Sequence, residues 1–423
     1  MNILFYSINY KPELTGIGKY NGEFCESLSH KGHKVTVVTA PPYYPEWKVH
    51  RYFRNSWSSF VEDGVTLHRC PLYVPANVST IKRIIHLTSF ALSSGLRLLG
   101  LLRLKPDVVF LVQPTLFCAP LALFYTKLTG AKAVLHIQDF EVDALIGLGM
   151  VKGRAKRGSL RRMVESFESW LMSRFDMVST ISFSMLNNAE KKGVPREKLC
   201  FFPNWSDTDF VTPNSNGAEI RARWGFQEED RVVLYSGNIG QKQGLEIVLD
   251  AAEALTPRSE VKFVVVGSGA YGETLRSLAE QRGLRNVVFK PLQAWEDVPK
   301  ILAMADVHLV VQKRGAADAV LPSKLTNILS AGGHALVTAD PYTELGRMAV
   351  HHPGIYEVVE PENSRAFIEG LERCLAKDTT KPNMVARQYA LDFLNKEKVI
   401  NRFVKDLKVL TEQEDVKEEV YEL

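Results

Sequence analysis

A lysine in the first turn of a predicted helix is the residue best placed to bind a charged substrate. Residues 320–333 read VLPSKLTNILSAGG, in which Ser323 is predicted to cap the helix and the paired glycines to end it. Buried strands are predicted on either side, at residues 307–311 and 335–338. The N–H groups at the start of such a helix favour an anion, and Lys324 adds a full charge. The alternative is a solvated lysine on a capped helix.

Three glycine clusters follow predicted strands and could bring the backbone close to a ligand. The cluster at 237–244 joins the first strand and helix of the second half of the chain, and its candidate ligand contacts are Gly237, Asn238, Gly240 and Lys242. The cluster at 267–272 begins with Gly267 and matches GxGxxG. The strand after it ends in Lys290 and not in an acid, which disfavours nicotinamide dinucleotides, although Lys290 could meet a phosphate. Gly16 and Gly18 open the first helix. Each cluster could instead be a tight turn without a ligand.

Two groups of acidic residues could serve catalysis or metal binding. Asp139 lies just past a predicted strand end, where it could accept a hydrogen bond from a substrate hydroxyl or simply start a helix. Asp207-Thr-Asp209 is a DxD pattern, but it lies in a predicted linker, and three-residue patterns of this kind arise often by chance. We therefore predict a role for Asp139 and no metal site.

Basic residues are concentrated in the first half of the chain. A run without intervening acids contains Lys152, Arg154, Arg157 and Arg161. The stretch 81–105 combines many leucines and isoleucines with Lys82, Arg83, Arg97 and Arg103. A basic amphipathic helix suits the surface of an anionic bilayer, so we predict that both segments contact a membrane. The alternative is a core helix with a solvated charged face.

The elements that must position these residues alternate between strand and helix along the whole chain. This alternation predicts doubly wound parallel sheets of the α/β class. The regularity breaks near residues 203–217, which predicts one Rossmann-like domain at 1–212 and a second at 213–384. A C-terminal helix at 385–410 is predicted to pack back toward the first domain, and 411–423 forms an acidic tail.

Length and composition restrict the class of protein. A chain of 423 residues with a formal charge of +4 fits two globular domains and does not indicate a nucleic-acid binder. Five widely spaced cysteines indicate thiols in a reducing compartment and not a disulfide or zinc framework. We predict neither a secretory signal nor a transmembrane helix, and hence a cytoplasmic protein.

The order of several motifs resembles that of the retaining GT-B glycosyltransferases. The motifs are the segment from Leu28 to Thr39, Ser182, Pro203-Asn204 with Asp207, Val264 to Gly269, Ala305 to Val307, and Ser330 to Gly333. Tyr235 to Gly240 and Leu321 to Asn327 look most like the colanic-acid-type exopolysaccharide enzymes of this group. The resemblance implies two Rossmann-like domains facing across a cleft.

The resemblance also implies a reaction and its site. A GDP- or UDP-linked sugar would bind the second domain, and a polyprenyl-diphosphate-linked acceptor the first, without metal or other cofactor. The Arg and Lys that usually hold the donor diphosphate are replaced by Asn238 and Gln243, and the usual pair of glutamates by Ala319 and Asn327. We therefore assign the diphosphate to Lys324, assisted by Lys242. The further predicted donor contacts are Gly16, Gly18, Gly237, Asn238, Gly240, Gly267, Lys290, Ser323, Leu325 and Asn327.

Two other functions compete with glycosyl transfer at the inner face of the cell membrane. A GT-B-fold sugar-nucleotide epimerase would need catalytic carboxylates facing the donor, and the loops of the second domain offer only Asp318. A non-catalytic nucleotide-sugar-binding subunit would be compatible with the missing glutamates.

Overall fold

The structure is a computed structural model in which the chain divides into two compact units. It describes all residues except Leu14, Thr15, Val78, Thr115, 141–156, 315–321 and 413–423. The first unit comprises Met1–Phe202 together with Ile400–Leu423, and the second comprises Pro203–Val399.

The described strands of the first unit form one eight-stranded sheet in the order β3-β4-β2-β1-β5-β6-β7-β8. All neighbours pair in parallel except β3, which runs antiparallel to β4 at the edge. The strands are β1 (Asn2–Tyr6), β2 (Lys34–Thr39), β3 (Ser58–Glu62), β4 (Val65–Arg69), β5 (Val108–Gln113), β6 (Lys132–Ile137), β7 (Met177–Thr180) and β8 (Leu199–Phe201). The central strands are continuous apolar runs because helices cover both faces of a parallel sheet.

The α-helices described in the first unit are α1 (Ile17–His30), α2 (Thr80–Gly100), α3 (Ala119–Thr129), α4 (Arg157–Ser173) and α5 (Phe183–Lys191). An aromatic cluster joins the sheet to the last helix of the chain. Phe403 stacks on Phe202 at 3.9 Å between ring centres and meets Phe110 edge-on. Aromatic pairs of this kind add to the stability gained from burial alone. This contact places the C-terminal segment in the first unit.

The described strands of the second unit form a six-stranded parallel sheet in the order β11-β10-β9-β12-β13-β14. The strands are β9 (Arg231–Ser236), β10 (Val261–Val266), β11 (Val287–Lys290), β12 (Val307–Val310), β13 (Ala335–Thr338) and β14 (Glu357–Val359). The helices are α6 (Gly217–Trp224), α7 (Glu246–Ala254), α8 (Gly272–Gln281), α9 (Val298–Ala303), α10 (Ser323–Ser330), α11 (Glu344–His351), α12 (Ser364–Leu375) and α13 (Met384–Tyr389). Both sheets confirm the predicted α/β class with two doubly wound units.

The junctions between the units differ from the sequence-based boundaries. Residues 203–212 belong to the second unit, because Arg387 donates hydrogen bonds to the carbonyl oxygens of Val211 and Thr208, at 3.1 and 3.0 Å. The predicted helix at 385–410 is interrupted: a π-helical turn at Ala390–Leu394 and an extended Asn395 precede α14 (Lys396–Glu412).

Two expectations about the class of protein can be compared with the structure. The described residues contain no helix long and apolar enough to cross a membrane. All five cysteines are free thiols, as their spacing predicted. Cys200 is half-buried, and its thiol donates to the Asp406 carboxylate at 3.3 Å.

Candidate functional site

Two glycine loops are locked together at the carboxyl ends of β9 and β10. The N–H of Gly237 donates to Val266 O at 2.9 Å, and the N–H of Ile239 donates to Ser268 O at 2.9 Å. A Cβ on Gly267 would collide with the carbonyl oxygen of Gly237, and both glycines have a φ of +151°. Only glycine fits this approach, so the loops form a rigid surface of exposed backbone at the sheet edge where α/β sheets bind ligands.

Lys324 of α10 points its ammonium group at this surface. A Cβ built on Gly237 would lie 3.4 Å from Lys324 Nζ. The side chain as a whole is half-buried, but Nζ is shielded from solvent and has no hydrogen-bond partner among the described residues. Its neighbour is the ring of Tyr235, whose centre lies 3.9 Å from Nζ. The described surroundings of the ammonium are thus an aromatic ring and backbone groups, and an anion would be needed to compensate for its burial.

Burial shifts the pKa values of Lys324 and Tyr235. Desolvation by burial lowers the pKa of Lys324 from its ordinary 10.5 to about 7, because the ammonium loses its hydration and no described residue offers an anion in return. Burial also raises the pKa of the Tyr235 phenol well above its usual value. That hydroxyl donates to Asn238 O at 2.7 Å and so holds the ring under the lysine. An anionic ligand at Nζ would restore the charge on Lys324.

The loop after Gly237 is supported by its own side chains. The Gln243 Oε1 accepts a hydrogen bond from Gly240 N–H at 3.1 Å, so this amide shapes the loop. Lys242 is exposed, and its carbonyl oxygen accepts from Lys313 N–H at 3.1 Å. Gly240, Asn238 and Lys242 are predicted contacts from the sequence, and all three lie on this loop.

The start of α10 differs from its prediction. The N-cap is Pro322, which offers no side-chain hydrogen bond, and Ser323 is the exposed first residue of the helix. Ser323 is therefore not the capping residue, because the chain already enters the helical conformation there. Leu325 was predicted to contact the donor, but its side chain is fully buried and its N–H donates to Pro322 O at 2.8 Å. Leu325 thus belongs to the core.

Asn327 and Lys290 have partners inside the second unit. The Oδ1 of Asn327 accepts from the Ser206 hydroxyl at 2.9 Å, which ties α10 to the 203–212 segment. The ammonium of Lys290 lies 5.4 Å from the ring centre of Trp224, and its carbonyl oxygen accepts from Gly267 N–H at 3.1 Å. Lys290 therefore supports the glycine loop through its backbone, while its side chain packs on an aromatic ring.

The DxD pattern has a local structural role. The Oδ1 of Asp207 accepts from the N–H groups of Asp209 and Phe210, at 3.2 and 3.0 Å. This arrangement closes a turn in the manner typical of Asp. Within the part of the chain that the structure describes, no group of three or more His, Cys, Asp or Glu could hold a metal ion.

Asp139 is exposed just beyond β6. Nearby, a chain of polar groups that sequence reasoning missed connects Gln138 Nε2 to His136 Nε2 at 3.0 Å and His136 Nδ1 to Ser179 Oγ at 2.9 Å. Burial lowers the pKa of His136 to about 3, so this imidazole is neutral. The pattern of alternating polar residues at strand ends was the available signal.

The structure describes some of the glycines and basic residues that were predicted as contacts in the first unit. Gly16 and Gly18 line a cavity at the start of α1. Lys152 and Arg154 lie outside the described residues. Arg157 begins α4, and its side chain also lies outside the described part of the chain. Arg161 is exposed, and its Nε donates to Glu165 at 2.7 Å.

Comparison with protein families and curated proteins identifies relatives over most of the chain. Residues 15–205 match the family "Glycosyl transferase 4-like domain", and residues 216–391 match "Glycosyl transferases group 1". A putative colanic acid biosynthesis glycosyl transferase of Escherichia coli is 49% identical over 411 residues, which is 96% of this chain and 100% of that protein.

Solved structures agree with this result at the level of the fold. Sucrose-phosphate synthase from Thermosynechococcus elongatus superposes with a TM-score of 0.73 at 14% identity and covers 98% of this chain and 100% of its own. The Anabaena protein HepE, solved in complex with UDP, has a TM-score of 0.68 at 14% identity, with 96% and 100% covered. The GT-B fold expected from the sequence is thereby confirmed.

We predict that Lys324→Met stabilises the ligand-free protein. The unfolded chain keeps the lysine protonated up to about its ordinary pKa of 10.5, whereas the folded chain loses the proton near 7. Stability of the native chain therefore rises with pH between these values, and the full cost of the buried charge is present below pH 7. Methionine removes that cost, so the free energy of unfolding should increase by about 1–3 kcal/mol at pH 6–7. The increase should shrink toward pH 10.

Urea unfolding of Lys324→Met and Lys290→Met across this pH range provides the measurement and its matched control. The Lys290 ammonium is packed on Trp224 at the same sheet edge. Its removal should change stability by no more than about 0.5 kcal/mol at any pH. A loss of stability in Lys324→Met at pH 6–7 would show that the buried ammonium is compensated within the fold.

Proposed function

Because this chain belongs to the group 1 glycosyltransferases, we propose that it moves a sugar from a nucleoside-diphosphate sugar to a lipid-linked saccharide, with retention of anomeric configuration, in exopolysaccharide biosynthesis. The observation that carries the proposal is the buried ammonium of Lys324 at the glycine loops, which has no hydrogen-bond partner in the described part of the chain. A site that holds a cation without an anion is built for a ligand that brings the negative charge. The diphosphate of a donor sugar is such a ligand, and a neutral sugar is not.

The proposed role of Lys324 is to stabilise the leaving group. When the bond between the sugar and the diphosphate breaks, negative charge grows on the departing phosphate oxygens. A preorganised cation in a site shielded from water interacts with that charge more strongly than a solvated one. The departing diphosphate can then take the proton of the acceptor hydroxyl, so no protein nucleophile is required. Asp139 is proposed to accept a hydrogen bond from a hydroxyl group of the saccharide that receives the sugar.

The loop geometry supports a replacement of the family's usual phosphate ligands. At the position of the usual lysine, Gln243 uses its carbonyl oxygen to accept from Gly240 N–H, and therefore shapes the loop. Asn238 holds Tyr235 through its backbone carbonyl, and Tyr235 in turn supports Lys324. A single buried lysine would thus take over the charge that two residues supply elsewhere, with exposed Lys242 as an outer contact.

An apolar face on the first unit supports a membrane-bound acceptor. Leu92 and Leu96 of α2 and Phe124 of α3 leave 67, 64 and 53% of their surface exposed. They border a groove of 250 Å³ between the two helices. Neither helix contains an acidic residue, whereas Lys82, Arg83, Arg97 and Lys127 are basic. Exposed leucines among cations fit the headgroup region of an anionic bilayer. We propose that the enzyme works there, at the inner face of the cell membrane.

We predict that Lys324→Ala impairs turnover without impairing the fold. A charge-assisted hydrogen bond contributes about 1.5–3 kcal/mol, so kcat/KM for the donor should fall at least about tenfold. Because charge on the diphosphate grows toward the transition state, kcat should fall together with the affinity. The donor is first chosen by thermal stabilisation with GDP, UDP and their sugars, and its turnover is followed by release of nucleoside diphosphate.

The control is Lys377→Ala, which removes a half-exposed lysine that pairs with Glu357 on the surface of the same unit. It should keep the kcat/KM of the unmodified enzyme. Near-normal turnover of Lys324→Ala would return the diphosphate to Lys242. If the unmodified protein binds a nucleotide sugar yet never releases nucleoside diphosphate, a non-catalytic binding subunit replaces the proposed enzyme.

We predict that turnover is independent of divalent metal, because Lys324 supplies the positive charge at the leaving group. Activity should be unchanged after dialysis against EDTA, measured with and without added Mg²⁺ or Mn²⁺. Loss of activity with EDTA and its recovery with either ion would contradict the assignment of this charge to Lys324.

We predict that the double variant Leu96→Glu with Phe124→Glu releases the protein from phosphatidylglycerol liposomes. The change removes apolar contacts and adds two negative charges, so the partition coefficient should fall at least about tenfold. Co-sedimentation measures it, with phosphatidylcholine liposomes as the uncharged comparison. The matched control changes Tyr342 and Val350, which are exposed on the second unit, to Glu. Equal liposome binding by both double variants would remove α2 and α3 from the membrane contact.

A further inference from the structure

A second cavity lies wholly within the first unit, at the carboxyl ends of β1, β2 and β5. Its volume is 180 Å³, below the roughly 300 Å³ at which pockets for drug-sized ligands begin. The residues used in the following argument are Glu13, Tyr43, Trp47, Arg83 and His86. Since the carboxyl edge of an open α/β sheet is where ligands bind, this position is suited to a small ligand.

His86 lines this cavity and carries a hydrogen-bond acceptor that no described residue uses. Its Nδ1 lies 2.6 Å from Tyr73 O, and a carbonyl oxygen can only accept, so Nδ1 carries the proton. The other nitrogen, Nε2, therefore presents a lone pair. His86 is 1% exposed, and Nε2 has no partner among the described residues. Burial lowers the pKa of His86, which keeps the imidazole neutral. A ligand O–H could satisfy this nitrogen, and an anion could not.

Aromatic rings form the wall around that nitrogen. Tyr43 meets the His86 ring edge-on with 4.8 Å between ring centres, and Trp47 lies 5.3 Å from it. Tyr44 lines the same cavity and is 43% exposed. Aromatic faces bind apolar surface while leaving polar groups at its edge to be hydrogen-bonded. A sugar ring combines these properties, with C–H faces and hydroxyl groups at the rim.

Glu13 fixes the two loops that carry this wall. Its Oε1 accepts from the N–H groups of Tyr43 and Tyr44, each at 3.1 Å, and its Oε2 accepts from Asn9 Nδ2 at 3.0 Å. A Cβ on Gly18 would lie 2.6 Å from Oε2, so the start of α1 is pressed against the same carboxylate. Both oxygens are engaged, and burial raises the pKa of Glu13. The carboxylate therefore organises the cavity and opposes an anionic ligand.

We propose that this cavity binds one neutral pyranose unit of the acceptor, stacked on the aromatic wall with a hydroxyl donating to His86 Nε2. The inference rests on the proposed function, because it identifies the acceptor as a saccharide and gives His86 and Trp47 the task of positioning it. Arg83 and the N–H groups at the start of α1 supply donors for the remaining hydroxyl oxygens. The cavity volume fits a single sugar residue and not an oligosaccharide.

The variant His86→Asn tests the unused nitrogen directly. The Asn amide can still donate to Tyr73 O in place of Nδ1, while the acceptor at Nε2 is lost. Saturation-transfer NMR without donor measures binding of the methyl glycosides of glucose, galactose, mannose and fucose. Affinity for the glycoside that the unmodified protein binds best should fall at least about fivefold in His86→Asn and in Trp47→Leu. The exposed residues of the same unit provide matched controls, His50→Asn and Trp57→Leu, which should bind normally.

Each outcome decides the matter. Unchanged glycoside binding in both cavity variants, or binding of inorganic pyrophosphate in place of every glycoside, would overturn the proposal. If His86→Asn fails to fold in a thermal melt, Trp47→Leu carries the test with Trp57→Leu beside it. Release of nucleoside diphosphate by the control variant Trp57→Leu should equal that of the unmodified enzyme. Because glycoside binding is measured without donor, its failure is distinct from an absence of donor turnover, which would instead reject the proposed function.

Discussion

The second unit contains a buried lysine ammonium for which the part of the chain that the structure describes supplies no counter-charge. The ammonium of Lys324 is shielded from water, stacked on Tyr235 and aimed at the backbone of Gly237. Its attraction to the ring recovers about 2 kcal/mol at best, far less than the cost of removing an ammonium ion from water. The remaining free-energy cost of burying the ammonium must be offset by favourable interactions elsewhere in the second unit. The parallel sheet and its packed helices provide the stability that tolerates such a site.

The position of the Lys324 ammonium depends on the conformation of the two neighbouring glycine loops. Tyr235 can support the lysine only while its hydroxyl is held by Asn238 O, and that loop is held in turn by hydrogen bonds to Val266 O and Ser268 O. The contact requires that Gly267 have no side chain, since a Cβ there would overlap Gly237 O. The GxGxxG pattern that resembled a dinucleotide motif thus has a packing cause. It lets a second loop support the first, whatever ligand binds.

Sequence reasoning succeeded where local pattern determines structure and failed where distant residues do. The apolar runs at 307–311 and 335–338 predicted β12 and β13 to within one residue at each end. The edge strand β3 has only exposed residues and β14 is only three residues long, so neither contains a buried apolar run from which it could have been predicted. Lys324 was found from its helix position, but its lack of a partner depends on Tyr235, far away in sequence. Glu13 and His86 carried no signal at all, because their partners lie in other loops.

Two buried ionisable groups show how differently the two units use charge. Glu13 in the first unit accepts three hydrogen bonds, and each of its oxygens is occupied before any ligand arrives. A carboxylate satisfied in this way stabilises loop geometry and cannot gain much from a substrate. Lys324 Nζ has no hydrogen-bond partner among the described residues, so an anion that enters its site gains an interaction that those residues do not provide. The buried charge of Lys324 therefore destabilises the empty second unit and favours binding of an anionic substrate. The hydrogen bonds of Glu13 instead stabilise the loops that shape the cavity in the first unit. Substitutions at the two residues should differ accordingly: at Glu13 the loops loosen, and at Lys324 the empty protein becomes more stable as its reaction slows.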